Sequence, residues 1–391
     1  MKTKVINLYK EFTNSKKNAG LILIFCTIIS LFLANTDFSE SYVHFWHKEI
    51  GFSFLSFDLH YSLEHWINDG LMTIFFLLVG LEIEHELYAG ELHPIKNALL
   101  PIFGAIGGML MPAIIFIIIN YHTPTIHGFG IPMGTDIAFA IAVISLLGNR
   151  VPSSIKILLT AIAIIDDLGS ILIIALCYGS NINFMFLFAS LGIFLFLVIL
   201  NKLKVYSLVP YIILGIPMWF FMMQSGIHPT ISGVLLAFAC PFGNGRENTP
   251  SIKLQHYLHI PVAFIILPLF TLANTAIPIK TEFIHQLSGT HSIGISLGLI
   301  IGKPLGILMA FYTITKMKIV TLPKDINWHD VLAMGCIAGI GFTMSIFITQ
   351  LAFTSEALIQ SSKMIILLAS LSSGFIGFLL YHFKSKKQTS K

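Results

Sequence analysis

Apolar residues run along this chain in long unbroken blocks, and the polar positions between them are short and clustered. A helix needs about 20 mostly apolar residues to cross a hydrocarbon core about 30 Å thick. Blocks of that kind recur near residues 18–35, 62–85, 95–120, 126–148, 151–178, 183–201, 205–221, 224–241, 256–276, 291–314, 328–352 and 358–383. The signature of a membrane β-barrel, alternating segments of about ten residues, does not fit these longer continuous runs. Only helices and closed barrels satisfy their backbone polar groups in lipid. The pattern therefore predicts one all-α integral membrane domain over 1–391 with about 12 transmembrane helices.

Composition agrees. The chain is 55% hydrophobic and 11% charged, against about 25% charged in soluble domains. The net charge of +4 calls for no nucleic-acid partner. Cys26, Cys177, Cys240 and Cys336 lie in or beside apolar runs without a C-x-x-C pair, which argues for packing and against disulfides or a thiolate metal site. Lys2 to Lys17 followed by an apolar run resembles a signal peptide, but no small-x-small cleavage site follows, so the run is expected to stay as the first helix.

An even number of spans puts both termini on one side. Lys and Arg favour cytoplasmic loops. With both termini cytoplasmic, Lys48, Lys280 and Lys363 fall outside and Lys303 within a span, and the other nineteen of the 23 basic residues fall inside. The acidic connection with Glu82, Glu84, Glu86 and Glu91 opposes this only weakly, because acids count little in that rule. The first outer loop, 36–61, contains the alternating aromatic stretch GFSFLSFDL at 51–59. That stretch is a strand signal, and a hairpin there could join two protomers by edge pairing. The polar tail 384–391 is expected to be cytoplasmic and disordered.

Four charges fall well inside spans: Asp136, the adjacent pair Asp166 and Asp167, and Lys303. Each costs about 2.5–3.5 kcal/mol at a helix centre, so the four together cost on the order of 10 kcal/mol before pairing. That is comparable to the whole net stability of many proteins, about 5–15 kcal/mol. One buried ion pair that fixes helix register accounts for one acid and one base, not for three acids against one base. Adjacent helical residues point about 100° apart, so one of Asp166 and Asp167 can pair with Lys303 while the other faces a cavity. A desolvated acid beside a second acid can trade its proton near neutral pH. The same oxygens, with a hydroxyl such as that of Thr135, suit a small hard cation. Oxygens that hold either a proton or a cation make an exchanger.

Two spans carry breaking signals. The fourth has Gly128, Gly130, Pro132 and Gly134 before Thr135 and Asp136; the eleventh has Gly335, Gly339 and Gly341 before Thr343 and Ser345. Proline and glycine oppose regular helix, and unwound backbone at membrane depth survives only inside protein or lining a cavity. The interruptions sit in the middle of spans three to five and ten to twelve, which suggests inverted repeats over 95–178 and 291–383. Asp136 then stands where it would neutralise a half-helix N-terminus, and Lys303 where it could offset C-terminal ends.

These residues resemble the NhaA-type sodium/proton antiporter family. The matching stretches are INDGLMTIFFLLVGLEIE (67–84), GTDIAFA (134–140), AIIDDLG (163–169), GIHPTISGVLLAF (226–238), ILPLFTLAN (266–274), GKPLGI (302–307) and AGIGFTMSIFI (338–348). Inverted repeats are a known feature of that family, so they are not an independent inference. The resemblance implies an electrogenic, pH-regulated secondary transporter, not an enzyme, that exchanges cytoplasmic Na+ or Li+ for external H+ and needs no cofactor. It implies a homodimer joined through the first outer loop, in the bilayer of a bacterial inner membrane. It makes Asp167 the main cation ligand and assigns Asp166, with Lys303, to proton exchange. Thr135 and Asp136 would line the crossing of the broken helices, Asp69 the outer funnel, and Glu82 the inner mouth. The family commonly has a basic pair where this chain has Glu84 and His85, and Glu where it has Gln255 before His256. Those positions are associated with pH sensing, so the profile is expected to be shifted or flattened. His228, His256 and His259 are further groups able to titrate near neutrality. An intramembrane aspartyl protease, also built on two membrane acids, fits poorly because its acids lie on separate helices. Another ion-coupled carrier on the same architecture remains the alternative.

Overall fold

The computed structural model describes residues 2–51, 53–54, 57–90, 95–179, 182–243, 249–279 and 288–383. The predicted tail 384–391, and the topological assignments of Glu91 and Lys280, lie outside them. The helices are α1 (Lys2–Leu33), α2 (Ser39–His47), α3 (Leu63–Tyr88), α4 (Ile95–Asn120), α5 (Ile137–Leu147), α6 (Ser153–Cys177), α7 (Phe184–Lys202), α8 (Val209–Gln224), α9 (Thr230–Ala239), α10 (Pro250–Asn274), α11 (Thr290–Lys316), α12 (Trp328–Ala338), α13 (Phe342–Ala352) and α14 (Glu356–His382). A 3-10 segment, Pro124–Met133, precedes α5.

Seven of these helices are long and apolar enough to cross a membrane. Two bent pairs raise the number to nine: Pro124–Met133 with α5, bent by 43°, and α12 with α13, bent by 49°. Asn18–Leu33, α8 and α9 are shorter apolar helices. The chain forms two compact units. Unit 1 comprises Met1–Phe25, Pro94–Ser170 and Lys280–Lys391; unit 2 comprises Cys26–His93 and Ile171–Ile279.

In unit 1, α4 and α11 pack along a seam of small residues. A Cβ on Gly306 would strike the Gly107 carbonyl carbon at 2.8 Å, and one on Gly302 would lie 2.9 Å from Pro112 Cα. Without side chains at the contact, the backbones close on each other and gain dispersion contacts. The seam also guides the Lys303 stem, whose Cδ would lie 3.8 Å from a Cβ on Gly108. Immediately before Lys303, α11 makes a π turn over Gly298–Gly302, with the Lys303 amide bonded to the Gly298 carbonyl. Pro304 lacks an N–H and crowds the preceding turn, so the kink expected there takes the form of this widened turn. Similar π turns occur at Trp66–Leu71 in α3 and Val262–Ile266 in α10. In unit 2, α3 packs on α9, where a Cβ on Gly80 would meet Ala237 Cβ at 2.6 Å. Leu81, Tyr211, Met218 and Ala237 are fully buried in the adjoining core.

Several sequence expectations need correction. Residues 36–61 are not a plain loop: α2 occupies Ser39–His47, with Glu40 in its first turn, His44 and His47 in its last, and Trp46 buried. The acidic Glu40 at its start suits the helix dipole. The hairpin expected there is present, with Ser53–Phe54 paired antiparallel to Phe57–Asp58 and a second antiparallel pair formed by Glu49–Ile50 and Tyr61–Ser62. The eighth apolar segment starts only at Thr230, because Gly226 adopts φ +81° and Pro229 follows; the left-handed glycine stops one helix and proline opens the next. Lys363, counted as an outer charge, is only 3% exposed in the second turn of α14 and does not act as a loop charge.

Gly306→Leu should force α11 away from α4. Overpacking of this kind costs about 1–3 kcal/mol, and a fall in the Tm of detergent-solubilised protein relative to wild type measures it.

Candidate functional site

The two bent helix pairs of unit 1 meet at Asp136. Gly134 to Asp136 run extended, so the Asp136 side chain caps α5 by accepting from the Phe139 N–H at 3.0 Å. Its Oδ2 also accepts from the Thr343 N–H at 3.0 Å and the Thr343 hydroxyl at 2.5 Å, in the first turn of α13. One carboxylate thus faces the partial positive charge of two half-helix N-termini. The Asp136 N–H donates to the Ile340 carbonyl at 2.7 Å, and the Ser345 hydroxyl donates to the Ile131 carbonyl at 2.7 Å, tying the two breaks together.

Helix α14 serves the second break. Ser370 Oγ accepts from the Gly341 and Phe342 N–H groups, each at 3.2 Å, and the Ser373 hydroxyl donates to the Cys336 carbonyl at 2.7 Å. These are the orphan donors and acceptors that every helix end leaves. Sequence reasoning did not single out either serine. Their three-residue spacing puts both on one face of α14, but only the fold shows that this face meets the break.

Beside the breaks lies a buried polar cluster. Lys303 Nζ donates to Asp166 Oδ2 at 2.5 Å and to the Thr135 hydroxyl at 2.7 Å, with Lys303 and Asp166 both 0% exposed. Thr135 Oγ1 lies 2.7 Å from Asp166 Oδ2 and 3.0 Å from the Ala338 carbonyl, the last residue of α12. Its single proton serves one of these acceptors at a time, while its lone pair receives the ammonium. Lys303 therefore reaches the C-terminal end of α12 through Thr135, not by contact with the carbonyls themselves. Asp166 Oδ1 has no hydrogen-bond partner among the described residues. Asp167, 2% exposed, stands about 100° around α6 from Asp166. No group of three His, Cys, Asp or Glu able to hold a metal occurs among the described residues. The oxygens here come from two carboxylates and a hydroxyl, a donor set for hard cations and protons.

The remaining candidates lie in unit 2, at the two ends of α3. At one end Asp69, on the π turn, faces His65 at 3.2 Å, and its carbonyl accepts from Trp219 Nε1 at 3.1 Å. Asn68 next to it accepts from Asn274 Nδ2 at 2.8 Å. His228 lies between α8 and α9. At the other end, about 20 Å along the helix by its rise per residue, stand Glu82 and His85. Between them Glu84 is buried and accepts from the Ser251 hydroxyl at 2.9 Å. Gln255 is one turn beyond Ser251 on α10, followed by the exposed His256. Glu84 thus bonds a neutral hydroxyl, at a position where the family pattern led us to expect a basic residue.

Thr343→Val should remove a hydrogen bond to a buried carboxylate, worth about 1.5–3 kcal/mol. Ser370→Ala should cost about 1 kcal/mol, the size of a lost N-cap. Denaturation of the two variants in detergent is expected to rank them in that order.

The Na+/H+ antiporter 1 family matches residues 10–381. A Flavobacterium psychrophilum protein named Na(+)/H(+) antiporter NhaA is 56% identical over 375 residues, covering 96% of each chain. A protein of the same name from Cytophaga hutchinsonii is 51% identical over 376 residues, covering 96% of this chain and 95% of its own. Among solved structures, the sodium proton antiporter MjNhaP1 from Methanocaldococcus jannaschii superimposes with a TM-score of 0.53 at 14% identity, covering 97% of this chain and 99% of that one. That likeness extends to the fold alone. With a match over nearly its whole length and relatives above half identity, this chain belongs to the Na+/H+ antiporter 1 family.

Proposed function

We propose that this protein is a secondary antiporter that moves Na+ or Li+ out of the cytoplasm in exchange for external H+, electrogenically and under pH control. The observation that carries the reading is the buried Lys303–Asp166–Thr135 cluster with Asp167 beside it. A buried ion pair is a poor source of stability, because desolvation consumes most of the Coulomb gain. An added acid makes it poorer still, so the arrangement makes sense as a site whose occupant changes. In the proton-loaded state Asp167 carries one proton and the Lys303 ammonium, which holds Asp166, carries the second. A cation arriving at the Asp167 and Asp166 oxygens competes with both. Two protons leave as one Na+ enters, so each cycle moves one net charge, worth about 2.3 kcal/mol per 100 mV of membrane potential. Asp136 keeps the half-helix ends neutral while the occupant changes, and no cofactor enters the scheme.

The membrane arrangement belongs to the same reading. The two bent pairs and the three shorter apolar helices, added to the seven long helices, support a reading with twelve crossings, two of them discontinuous. The residues of both candidate repeats, 95–178 and 291–383, lie largely in unit 1, which supports an inverted-repeat core. The strand pairs between Glu49 and Ser62 supply an edge for a homodimer. The bias of basic residues favours cytoplasmic termini in a bacterial inner membrane. Asp69 and His228 then belong to the outer approach; Glu82, His85, Gln255 and His256 belong to the inner, pH-regulating mouth.

Everted vesicles holding an acidic interior test this. Added Na+ or Li+ should collapse the proton gradient between pH 6.5 and 9, and no collapse at any of these values would refute antiport. Asp167→Asn should abolish the response in protein that still folds and inserts.

A further inference from the structure

We infer that Ser170 is a specificity-determining residue of the cation site, its hydroxyl oxygen joining the Asp166 and Asp167 carboxylates around the bound alkali ion. The assignment rests on the antiport reading. Ser170 lies on α6, four residues after Asp166 and three after Asp167. Residues at those spacings are neighbours on one helix face, about 5–6 Å apart between Cβ atoms. The side chain is 1% exposed, and its Oγ has no hydrogen-bond partner among the described residues.

Two other helix hydroxyls, Thr271 and Ser362, share that isolation, but neither lies one turn from an acid pair. A serine or threonine inside a helix ordinarily donates back to the carbonyl four residues earlier. Thr160 does so in this same helix, to Lys156 at 3.0 Å, as do Ser296 to Ser292 at 2.8 Å, Thr349 to Ser345 at 2.8 Å and Ser372 to Leu368 at 2.7 Å. Ser170 leaves the Asp166 carbonyl alone. One turn away, Asp166 Oδ2 is engaged by Lys303 and Thr135 while its Oδ1 is unengaged. Buried polar atoms are nearly always satisfied. Two oxygens that are not, one helical turn apart and beside a second acid, share a missing electropositive partner. A hard cation takes oxygen ligands, neutral ones included.

A hydroxyl adds a ligand without adding charge. It therefore sets how tightly each ion binds, not how many protons each ion displaces. Na+, the larger ion, takes more oxygen ligands than Li+, so losing one weighs more on Na+.

The test uses the full-length protein in proteoliposomes, with Na+ and Li+ as probes. Ser170→Ala should raise the KM for Na+ about fivefold or more and that for Li+ less than twofold, with the proton-to-cation ratio unchanged. Its Tm without alkali ions should equal or exceed that of wild type, because an unsatisfied polar group is removed; a purely structural role predicts no KM change. Ser170→Cys keeps the volume but replaces a hard oxygen with soft sulfur, and should show the same selective loss for Na+. KM values for both ions within twofold of wild type in either folded variant would overturn the assignment. A wild-type protein that exchanges neither ion overturns the antiport reading itself, and the assignment falls with it.

Discussion

An ammonium and a carboxylate touch in the interior of unit 1 with no solvent on either, and much of that unit is arranged around them. Lys303 reaches Asp166 because α11 and α4 close on each other along Gly302, Gly306 and Gly107, leaving a track for the lysine stem past Gly108. The π turn ahead of Pro304 sets the angle at which the stem leaves α11. Thr135 then links the pair to the C-terminal end of α12, so a change of charge at Asp166 is felt at a helix break through one hydroxyl.

The breaks need their own support. Unwound backbone within the membrane exposes groups that lipid cannot satisfy. Here Asp136 neutralises two N-termini at once, Ser370 takes two more amides of α13, and Ser373 takes a carbonyl of α12. The half-helix ends that border the acids thus carry little free partial charge of their own. On the proposed scheme, this lets the occupancy of the aspartates be set by ion and proton concentrations and not by the helix termini.

Unit 2 separates its titratable groups along a single helix. His65 and Asp69 pair at one end of α3, and Glu84 bonds Ser251 at the other. A buried glutamate held by a neutral hydroxyl responds to pH differently from one held by a permanent cation, because the hydroxyl stays bonded in either protonation state. On the proposed reading, the departure at Glu84 and His85 bears on regulation without touching the residues of the proposed ion site.

The apolar blocks alone determined the membrane class, because about 20 apolar residues have few other uses, and they fixed most helix positions to within a few residues. Gly-Pro clusters marked both breaks, since backbone propensity is local. Asp136, Asp166, Asp167 and Lys303 stood out because a charge inside an apolar run is costly wherever it ends up. Tertiary structure decided what depends on contacts far apart in the chain. Lys303 lies 137 positions from Asp166 and Thr343 lies 207 from Asp136, and no local pattern encodes which of two adjacent aspartates turns toward the lysine. Ser170, Ser370 and Ser373 read as ordinary small helix residues until packing shows one hydroxyl left without a partner and two others set against severed helix ends.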